Sequence, residues 1–533
     1  MSATPTLPAE QLPDAPEAPR RPRSLLLKGV AFNWASLVVG VLVSIIQTPI
    51  MIRGLGAYYY GMWALVMSLV DQYGLLEMGM GPALARFTGY FQGAEERKAL
   101  DEVFCTSLVF TLLIASCISV ITLPAALILP AFFRFTGPNR PTFMWLLLSL
   151  GLTTAIAFPE RIMASYLRGL QRFDLFNAVS TSAVIIRAVL CVAAILAGYK
   201  VLTVAAITLI IGMASCVAHY AMIRIADPLL SVSWANVRRK RLRELFGFSI
   251  YVFIASIGAR LTSRIDSIVI ARILTVALVT PYSIAIRLMD YFAAVFGGVQ
   301  GPLMSAMSEL HGRSQQHELH TLFVKSSKLT FLLSVLLGSL LVFDGNALLT
   351  LWLANSGIDL TLTYRVLVLL TCCYITYFAQ LPAWTVIYAR AQHQLLAWLA
   401  LFEGTVDVLL SVYWGHKYGL IGVAMGTTVP ALVLHLVIVP WYALRVIAFP
   451  AGEYFRRSVL RPLVSNMLFV SYCLLTMKSS QTFFELTLRI TSQTFVFALL
   501  TYFVGFSKSE RKLILELATQ WFPLKWLPGS QGR

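Results

Sequence analysis

Two arginines occupy one face of a predicted apolar helix near the middle of the chain. Arg260 and Arg264 are four residues apart, and Ser256, Ser263 and Ser267 recur on the same side at spacings of three or four. An arginine within an apolar span is costly unless it faces water or a partner. Its planar guanidinium donates paired hydrogen bonds to anionic oxygens and keeps its charge when partly desolvated. The stripe therefore predicts the wall of a hydrated lumen.

A milder polar stripe follows one side of the first predicted helix. Its members are Asn33, Ser36, Gly40, Ser44 and Gln47. We count Asn33 and Gln47 among the candidate ligand contacts, because two helices in different parts of the chain then turn polar faces inward.

Other intramembrane charges extend the candidate set. Arg287 and Arg187 rank after the first two arginines as ligand contacts. The alternative interpretation is that these arginines pair across helices with Asp266, Asp290 or Asp71, or reach toward a membrane interface. Both interpretations stay open at the level of sequence.

Four acidic residues are candidates for ion coupling. Glu403 and Asp407 are four apart on one predicted helix, and Asp71 and Glu77 share another. A carboxylate in a low-dielectric lumen can exchange protons or hold a cation, although an ion pair or a capped helix end would also explain each residue. The histidines of one predicted loop have no spacing typical of metal ligands, so no metal site is expected. They are His311, His317 and His320.

These residues must be carried by membrane-spanning helices. The chain has 533 residues, of which 58% are hydrophobic and only 13% charged, too apolar for a surface solvated by water. Apolar runs of the length that crosses a bilayer recur throughout. They predict fourteen helices near 30–52, 61–85, 103–131, 143–164, 176–197, 202–223, 247–271, 280–305, 327–350, 363–388, 395–414, 420–444, 460–477 and 484–505.

The distribution of Lys and Arg predicts the orientation. Most of the 42 cations fall into alternate loops, which places both termini in the cytoplasm. The net charge of +17 is explained by these loops, so nucleic-acid binding is not expected.

Two halves of the chain share a pattern of helix breakers. Gly79-Met80-Gly81-Pro82 ends the second predicted helix, and Gly298-Val299-Gln300-Gly301-Pro302 ends the eighth. The predicted parts are a disordered Pro-rich cytoplasmic tail (1–24), a six-helix bundle (25–224), a basic cytoplasmic linker (225–245), a second six-helix bundle (246–445), two additional transmembrane helices (446–507) and a cytoplasmic tail (508–533).

The order of several short motifs resembles a known superfamily. The motifs are Lys28-Gly29 to Asn33, Arg53-Gly54-Leu55-Gly56 before Tyr60-Gly61, the glycine-proline end of the second helix, Leu167-Arg168-Gly169-Leu170-Gln171-Arg172-Phe173, and Gly419-Leu420-Ile421-Gly422-Val423-Ala424-Met425-Gly426. Over residues 25–505 the layout resembles the MOP exporter superfamily, most closely its Wzx-type O-antigen and polysaccharide flippases. The resemblance implies an all-α, MATE-like fold with two six-helix bundles around a central cavity and alternating access.

The resemblance also implies a substrate and a location. A flippase of this kind moves a polyprenyl-diphosphate-linked oligosaccharide across the cytoplasmic membrane before a surface polysaccharide is polymerised, with a polysaccharide polymerase as a candidate partner. The lumenal arginines would then bind the diphosphate. A cation-coupled multidrug exporter and a peptidoglycan lipid II flippase are the alternatives within the fold.

A membrane-embedded polysaccharide polymerase is the alternative from another class of protein. The sequence has no nucleophile paired with a base, no phosphate-cradling loop and no metal cluster. Neither an enzyme nor a cofactor is expected, and no ATP-binding motif is present in the chain.

Overall fold

The described part of the chain is helical throughout. The computed structural model describes residues 23–77, 79–246, 257, 265–390, 392, 394–477 and 482–512, with side chains from residue 35 onward except that of Phe246. No strand occurs within these ranges. The predicted all-α class is therefore confirmed. The predicted disordered tail 1–24 lies outside the described residues except for the start of the first helix, and 513–533 of the C-terminal tail lie outside them as well.

Seventeen helices are named here in chain order. They are α1 (Arg23–Asp71), α2 (Met80–Gly93), α3 (Arg97–Phe132), α4 (Asn139–Gly169), α5 (Phe173–Leu196), α6 (Val201–Ala226), α7 (Arg239–Phe246), α8 (Asp266–Ile273), α9 (Val279–Gly312), α10 (Gln316–Trp352), α11 (Leu360–Ala379), α12 (Leu381–Ala389), α13 (Gln394–Val433), α14 (Val439–Val446), α15 (Ala451–Tyr454), α16 (Arg461–Leu475) and α17 (Phe483–Leu500). Short 3₁₀ segments cover Gln72–Glu77, Trp234–Asn236 and Val276–Leu278, and π-helical segments cover Leu434–Ile438, Phe455–Leu460 and Thr501–Gly505.

Eleven helical stretches of the described residues are long and apolar enough to cross a membrane. Two of them contain a glycine with non-helical dihedral angles, Gly56 in α1 and Gly419 in α13, and each is long enough for two passes. The chain is thus a multi-pass membrane protein, and the count is consistent with fourteen spans. The predicted span 247–271 lies mostly outside the described residues.

One predicted helix is wrong in detail. The span expected over 61–85 is not continuous, because α1 ends at Asp71, a 3₁₀ turn follows, and α2 begins only at Met80. Gly79 precedes α2 with φ of 73°, a left-handed conformation that glycine adopts without a steric penalty. The apolar pattern located the segment but did not reveal this break.

The first compact unit comprises the described parts of Met1–Thr48 and Tyr73–Phe253. Its core packs α2 and α3 against α4, and it includes the fully buried rings of Phe104 and Tyr166, whose centroids are 4.8 Å apart. The predicted basic linker packs onto this unit. Asp227 of the linker accepts two hydrogen bonds of 2.8 Å from Arg97 and one of 2.6 Å from the Tyr166 hydroxyl.

The second compact unit comprises Pro49–Gln72 and the described parts of Ile254–Arg533. Two ion pairs join α10 to the end of the chain within it. The buried Asp344 pairs with Arg489 of α17, and the buried Lys328 pairs with Glu510 at 2.6 Å. The domain boundaries drawn from the sequence stay a prediction.

Candidate functional site

The site is built on a sharply folded helical pair in the second unit. Gly419 interrupts α13 with φ of +63°, and the two arms on either side of it pack unusually closely. A Cβ added to Gly426 would lie 2.7 Å from the Cα of Ser411, and one added to Gly422 would collide with the Trp414 carbonyl. Glycines four residues apart therefore let the backbones touch, as small residues do between membrane helices.

This close approach brings oxygen atoms of both arms together. The Ser411 hydroxyl on the first arm donates to the carbonyl oxygen of Val423 on the second at 3.1 Å, and it also contacts Oδ1 of Asp407 at 3.0 Å. Asp407 is completely buried. Its side chain is held at the seam of the two arms because it lies one turn before Ser411.

A second carboxylate reaches the same place from α8. Asp266 is 1% exposed, and its Oδ2 accepts a 2.9 Å hydrogen bond from Thr427 of the second arm and another from the Tyr282 hydroxyl of α9. The Ser411 and Thr427 hydroxyls interact with both carboxylates, so Asp266 and Asp407 form one cluster.

The cluster carries two acids without a matching cation among the residues that the structure describes. Among the described residues, no Lys or Arg forms an ion pair with either carboxylate, and one oxygen of each, Oδ1 of Asp266 and Oδ2 of Asp407, has no hydrogen-bond donor. Burying two unpaired negative charges is strongly unfavourable. The arrangement can therefore take up a proton or a monovalent cation, and its carboxylate, hydroxyl and carbonyl oxygens are ligands that hard cations prefer.

The cluster extends by one helical turn to a buried acid–histidine pair. Oε1 of Glu403 lies 3.6 Å from Nε2 of His435, and both side chains are largely buried. The rings of Tyr377 and Trp384 cover the imidazole, with centroids 5.1 and 6.0 Å away. Glu403 interacts electrostatically with Asp407, so the acidic groups form a connected row.

The other predicted coupling acids do not join this cluster. Glu77 forms a 2.8 Å ion pair with Arg161 within the first unit. Asp71 is the last residue of α1 and belongs to the second unit. The two acids expected on one helix are thus separated by the break that follows α1.

The predicted arginines fall in three situations. Arg260 and Arg264 lie outside the described residues. Arg287 of α9 has Tyr60, Tyr291 and Asp290 as electrostatic neighbours and interacts with the Tyr291 hydroxyl.

Arg187 of α5 is half-buried. It forms no hydrogen bond or ion pair with any residue that the structure describes. Its role as a ligand contact stays a prediction.

The residues of the polar stripe on α1 differ in their surroundings. Ser36 donates a 3.0 Å hydrogen bond to Asn177 of α5 and accepts one of 2.8 Å from Thr181. Gly40 has nothing within 4 Å of an added Cβ, and Gln47 is half-buried. The side chain of Asn33 lies outside the described part of the chain.

Sequence reasoning missed most of the cluster. Asp266 was considered only as an arginine partner, and Tyr282, Ser411 and Thr427 were not singled out. A usable signal was present, since Asp407 and Ser411 precede the glycine motif at 419–426 and Thr427 follows it directly. Groups of three or more His, Cys, Asp or Glu side chains placed to hold a metal do not occur within the described ranges.

The fold and its spans define a class of protein, a polytopic all-helical membrane protein. Residues 26–290 match the model of a family described as polysaccharide biosynthesis protein. The match covers just under half of the chain, and the structural likenesses given next show that the fold is shared with transporters of the MOP superfamily. The similar structures described next are transporters and flippases.

Several solved structures share the fold. The chain is similar to the lipid II flippase MurJ in an inward closed conformation, with a TM-score of 0.67 and 14% identity over 92% of this chain and 100% of that one. An inward-facing multidrug resistance MATE transporter matches with a TM-score of 0.61 and 16% identity, over 77% and 95% of the two chains. A MOP superfamily transporter from Pyrococcus furiosus gives 0.57 and 17%, over 79% and 96%. No protein with a curated functional description matches the sequence.

Proposed function

We propose that the chain moves a polyprenyl-diphosphate-linked oligosaccharide across the cytoplasmic membrane by alternating access, with both termini in the cytoplasm. The match of residues 26–290 to polysaccharide biosynthesis proteins is the observation that carries this substrate class. Such a substrate has an anionic diphosphate and many hydroxyl groups, and it travels while its lipid tail stays in the bilayer. The product would serve a polysaccharide polymerase working on the outer face.

The proposed ligand contacts are cations and amides within the spans. Arg260 and Arg264 are the first candidates for the diphosphate, followed by Arg287 and Arg187. Guanidinium groups bind phosphate oxygens bidentately, and in a low-dielectric lumen each contact is stronger than in water. Asn33 and Gln47 on the stripe of α1 would hydrogen-bond sugar hydroxyls.

The acidic cluster is the proposed coupling site. Two buried carboxylates without a cationic partner in the described residues, Asp266 and Asp407, support binding of a proton or a monovalent cation there. Glu403 and His435 stand beside it and would carry protons toward or away from it. The energy for transport would then come from an ion gradient.

Transbilayer movement in proteoliposomes tests the substrate. The native chain should flip a fluorescent polyprenyl-diphosphate oligosaccharide, and Arg260→Ala and Arg264→Ala should each reduce the rate at least tenfold. Arg140→Gln is the matched control, because this arginine is exposed at the start of α4 and lies outside the proposed ligand contacts. Unchanged flipping in both alanine variants would refute the diphosphate role of the pair.

The same vesicles discriminate between the alternatives. Movement of lipid II in preference to other lipid-linked sugars would indicate a peptidoglycan flippase. Efflux of cationic drugs without any lipid flipping would indicate a multidrug exporter. Removing the sodium gradient and the proton gradient in turn shows which ion, if either, drives transport by the native chain.

A further inference from the structure

A large basic cavity lies in the second unit, away from the acidic cluster. Its volume is about 790 Å³. Three segments line it: the first three turns of α10, the stretch from Phe449 to Arg461, and the residues that follow α17. It contains five Lys and Arg side chains against two Glu side chains, and two histidines. The cavity is therefore electropositive.

Two of these five cations are paired with acids, and three have no partner among the described residues. Lys328 pairs with Glu510 at 2.6 Å, and Arg457 pairs with Glu453 at 2.8 Å, so both acids are neutralised. The three remaining cations are Lys325, Arg456 and Arg461, which are exposed and make no hydrogen bond or ion pair with any described residue. These three form the charge that is free to bind an anion.

A second cavity of about 730 Å³ adjoins the first and differs from it in character. Apolar and aromatic side chains dominate its lining, including Trp441, Leu444 and Phe455. Phe449 and Pro450 form a wall common to both cavities. Phe455 is 51% exposed, an unfavourable arrangement for a large apolar ring in water but not in lipid. A basic compartment thus opens beside an apolar one.

The two cavities stand at the ends of membrane-spanning helices. The basic lining residues occupy the beginning of the candidate spans Gln316–Trp352 and Ala451–Leu475 and the segment just after Phe483–Gly505. In the sequence, the same cations define the cytoplasmic side of the membrane. The basic compartment is therefore at headgroup level and the apolar one is beside the acyl chains.

We infer that this pair of cavities binds one anionic membrane phospholipid, with its phosphate on Lys325, Arg456 and Arg461 and an acyl chain along Trp441 and Phe455. Basic pockets between membrane helices recognise anionic headgroups through such charge complementarity. Arginine adds bidentate hydrogen bonds to phosphate oxygens. The site holds together α10, the segment before α16 and the end of α17, and its occupancy does not depend on which substrate the lumen carries.

Native mass spectrometry of the full chain in detergent tests the assignment. Phosphatidylglycerol and phosphatidylcholine are titrated separately into delipidated protein, and bound lipid is counted. The native chain should bind phosphatidylglycerol more tightly. The triple variant Lys325→Gln, Arg456→Gln, Arg461→Gln should weaken that binding by about fivefold per charge, or on the order of 100-fold in all.

A control variant removes the same charges elsewhere. Arg134→Gln, Arg140→Gln and Lys200→Gln change two arginines and one lysine that are exposed in the first unit, and they should leave the affinity unchanged. Equal affinity of the two triple variants for phosphatidylglycerol, or equally tight binding of phosphatidylcholine to the native chain, would overturn the phosphate assignment. Thermal unfolding of each variant confirms that the fold is retained.

Two further experiments test the source of the phosphate and the role of the apolar cavity. Displacement of phosphatidylglycerol by millimolar inorganic pyrophosphate, with pyrophosphate retained in the complex, would assign the pocket to a soluble ligand and overturn the lipid. Phe455→Ser should weaken long-chain phosphatidylglycerol but not its short-chain dihexanoyl analogue. Equal effects on both lipids would exclude an acyl chain from the apolar cavity. Because binding is measured in detergent, its failure is distinguishable from a failure to flip.

Discussion

Replacing Asp407 by Asn removes one of the two negative charges of the acidic cluster while keeping its shape. The Ser411 hydroxyl lies 3.0 Å from Asp407 and interacts with Asp266 as well, so the two carboxylates are separated by about two hydrogen-bond lengths, roughly 6 Å. At an effective dielectric constant of about 20, two unit charges at that distance repel by about 3 kcal/mol. A bound cation relieves this repulsion. Because the substitution removes the repulsion, it should weaken cation binding by a comparable free energy.

The expected consequence is a cation affinity weakened by about 100-fold, since each 1.4 kcal/mol corresponds to roughly a factor of ten. At a cation concentration about 100 times the native dissociation constant, ligand linkage stabilises the native chain by about 2.7 kcal/mol. The same concentration would stabilise the Asp407→Asn variant by only about 0.4 kcal/mol. Without cation the variant should be more stable than the native chain, because the like-charge repulsion is gone.

The assay is thermal unfolding of purified protein in detergent, with NaCl replaced by choline chloride at constant ionic strength and the series repeated with KCl and LiCl at two pH values. Asp344→Asn is the matched control, because it removes a buried acid from its pair with Arg489. That variant should lose stability while keeping the native cation dependence. The reasoning is refuted if the native chain responds to neither cation nor pH, or if Asp407→Asn responds as the native chain does.

Three other changes test one packing contact and two buried polar networks. Gly426→Ala places a Cβ against the backbone of the facing arm, so thermal unfolding should show a free energy of unfolding lower by about 1–3 kcal/mol and a smaller stabilisation by cation. An unfolding midpoint equal to that of the native chain would contradict the close packing. Asp227→Asn should lower the free energy of unfolding by about 1–3 kcal/mol in the same measurement, because it breaks the buried hydrogen bonds to Arg97 and Tyr166. A change of less than about 0.3 kcal/mol would show that these hydrogen bonds do not stabilise the fold. Burial opposes ionisation of Glu510, but hydrogen bonds from Lys328 and Ser507 outweigh it and hold its pKa below the ordinary value of 4.5. The stabilisation is present above that value and lost as the pH falls through the lowered pKa, so hydrogen exchange of residues 507–512 should accelerate only in acid, and Glu510→Gln should remove the pH dependence.

The membrane-spanning helices could be predicted because bilayer thickness converts directly into the length of an apolar run. α3, α4 and α9 all cover the spans expected for them and extend beyond both ends. The longer extensions, such as those at the start of α3 and α10, are helical turns that carry charged residues, so a hydropathy pattern does not include them. Gly419 marks the turn between two predicted spans, but only the structure shows that both helices continue up to the glycine itself.

The acidic cluster could be predicted only in part, because its members come from three separate segments. The spacing of Glu403 and Asp407 indicates that they share a helix face. Which group each one contacts depends on the elements packed against that face: Asp407 joins Asp266 of α8, whereas Glu403 turns to His435. No local pattern in the sequence encodes these partners, since they depend on how closely the two arms of α13 approach each other.

The construction of the cluster also explains how an ion could drive a conformational change under the proposed function. A ligand shifts an equilibrium between conformations only if it binds one of them more tightly. The oxygens of Asp266 arrive on α8, those of Asp407 and Ser411 on the first arm of α13, and those of Val423 and Thr427 on the second. The two arms pack tightly through glycine contacts, so under the proposed function they would move as one piece and a displacement of α8 would open the cluster. A cation bound there would favour the conformation in which α8 lies against the arms, and its release would free α8 to move.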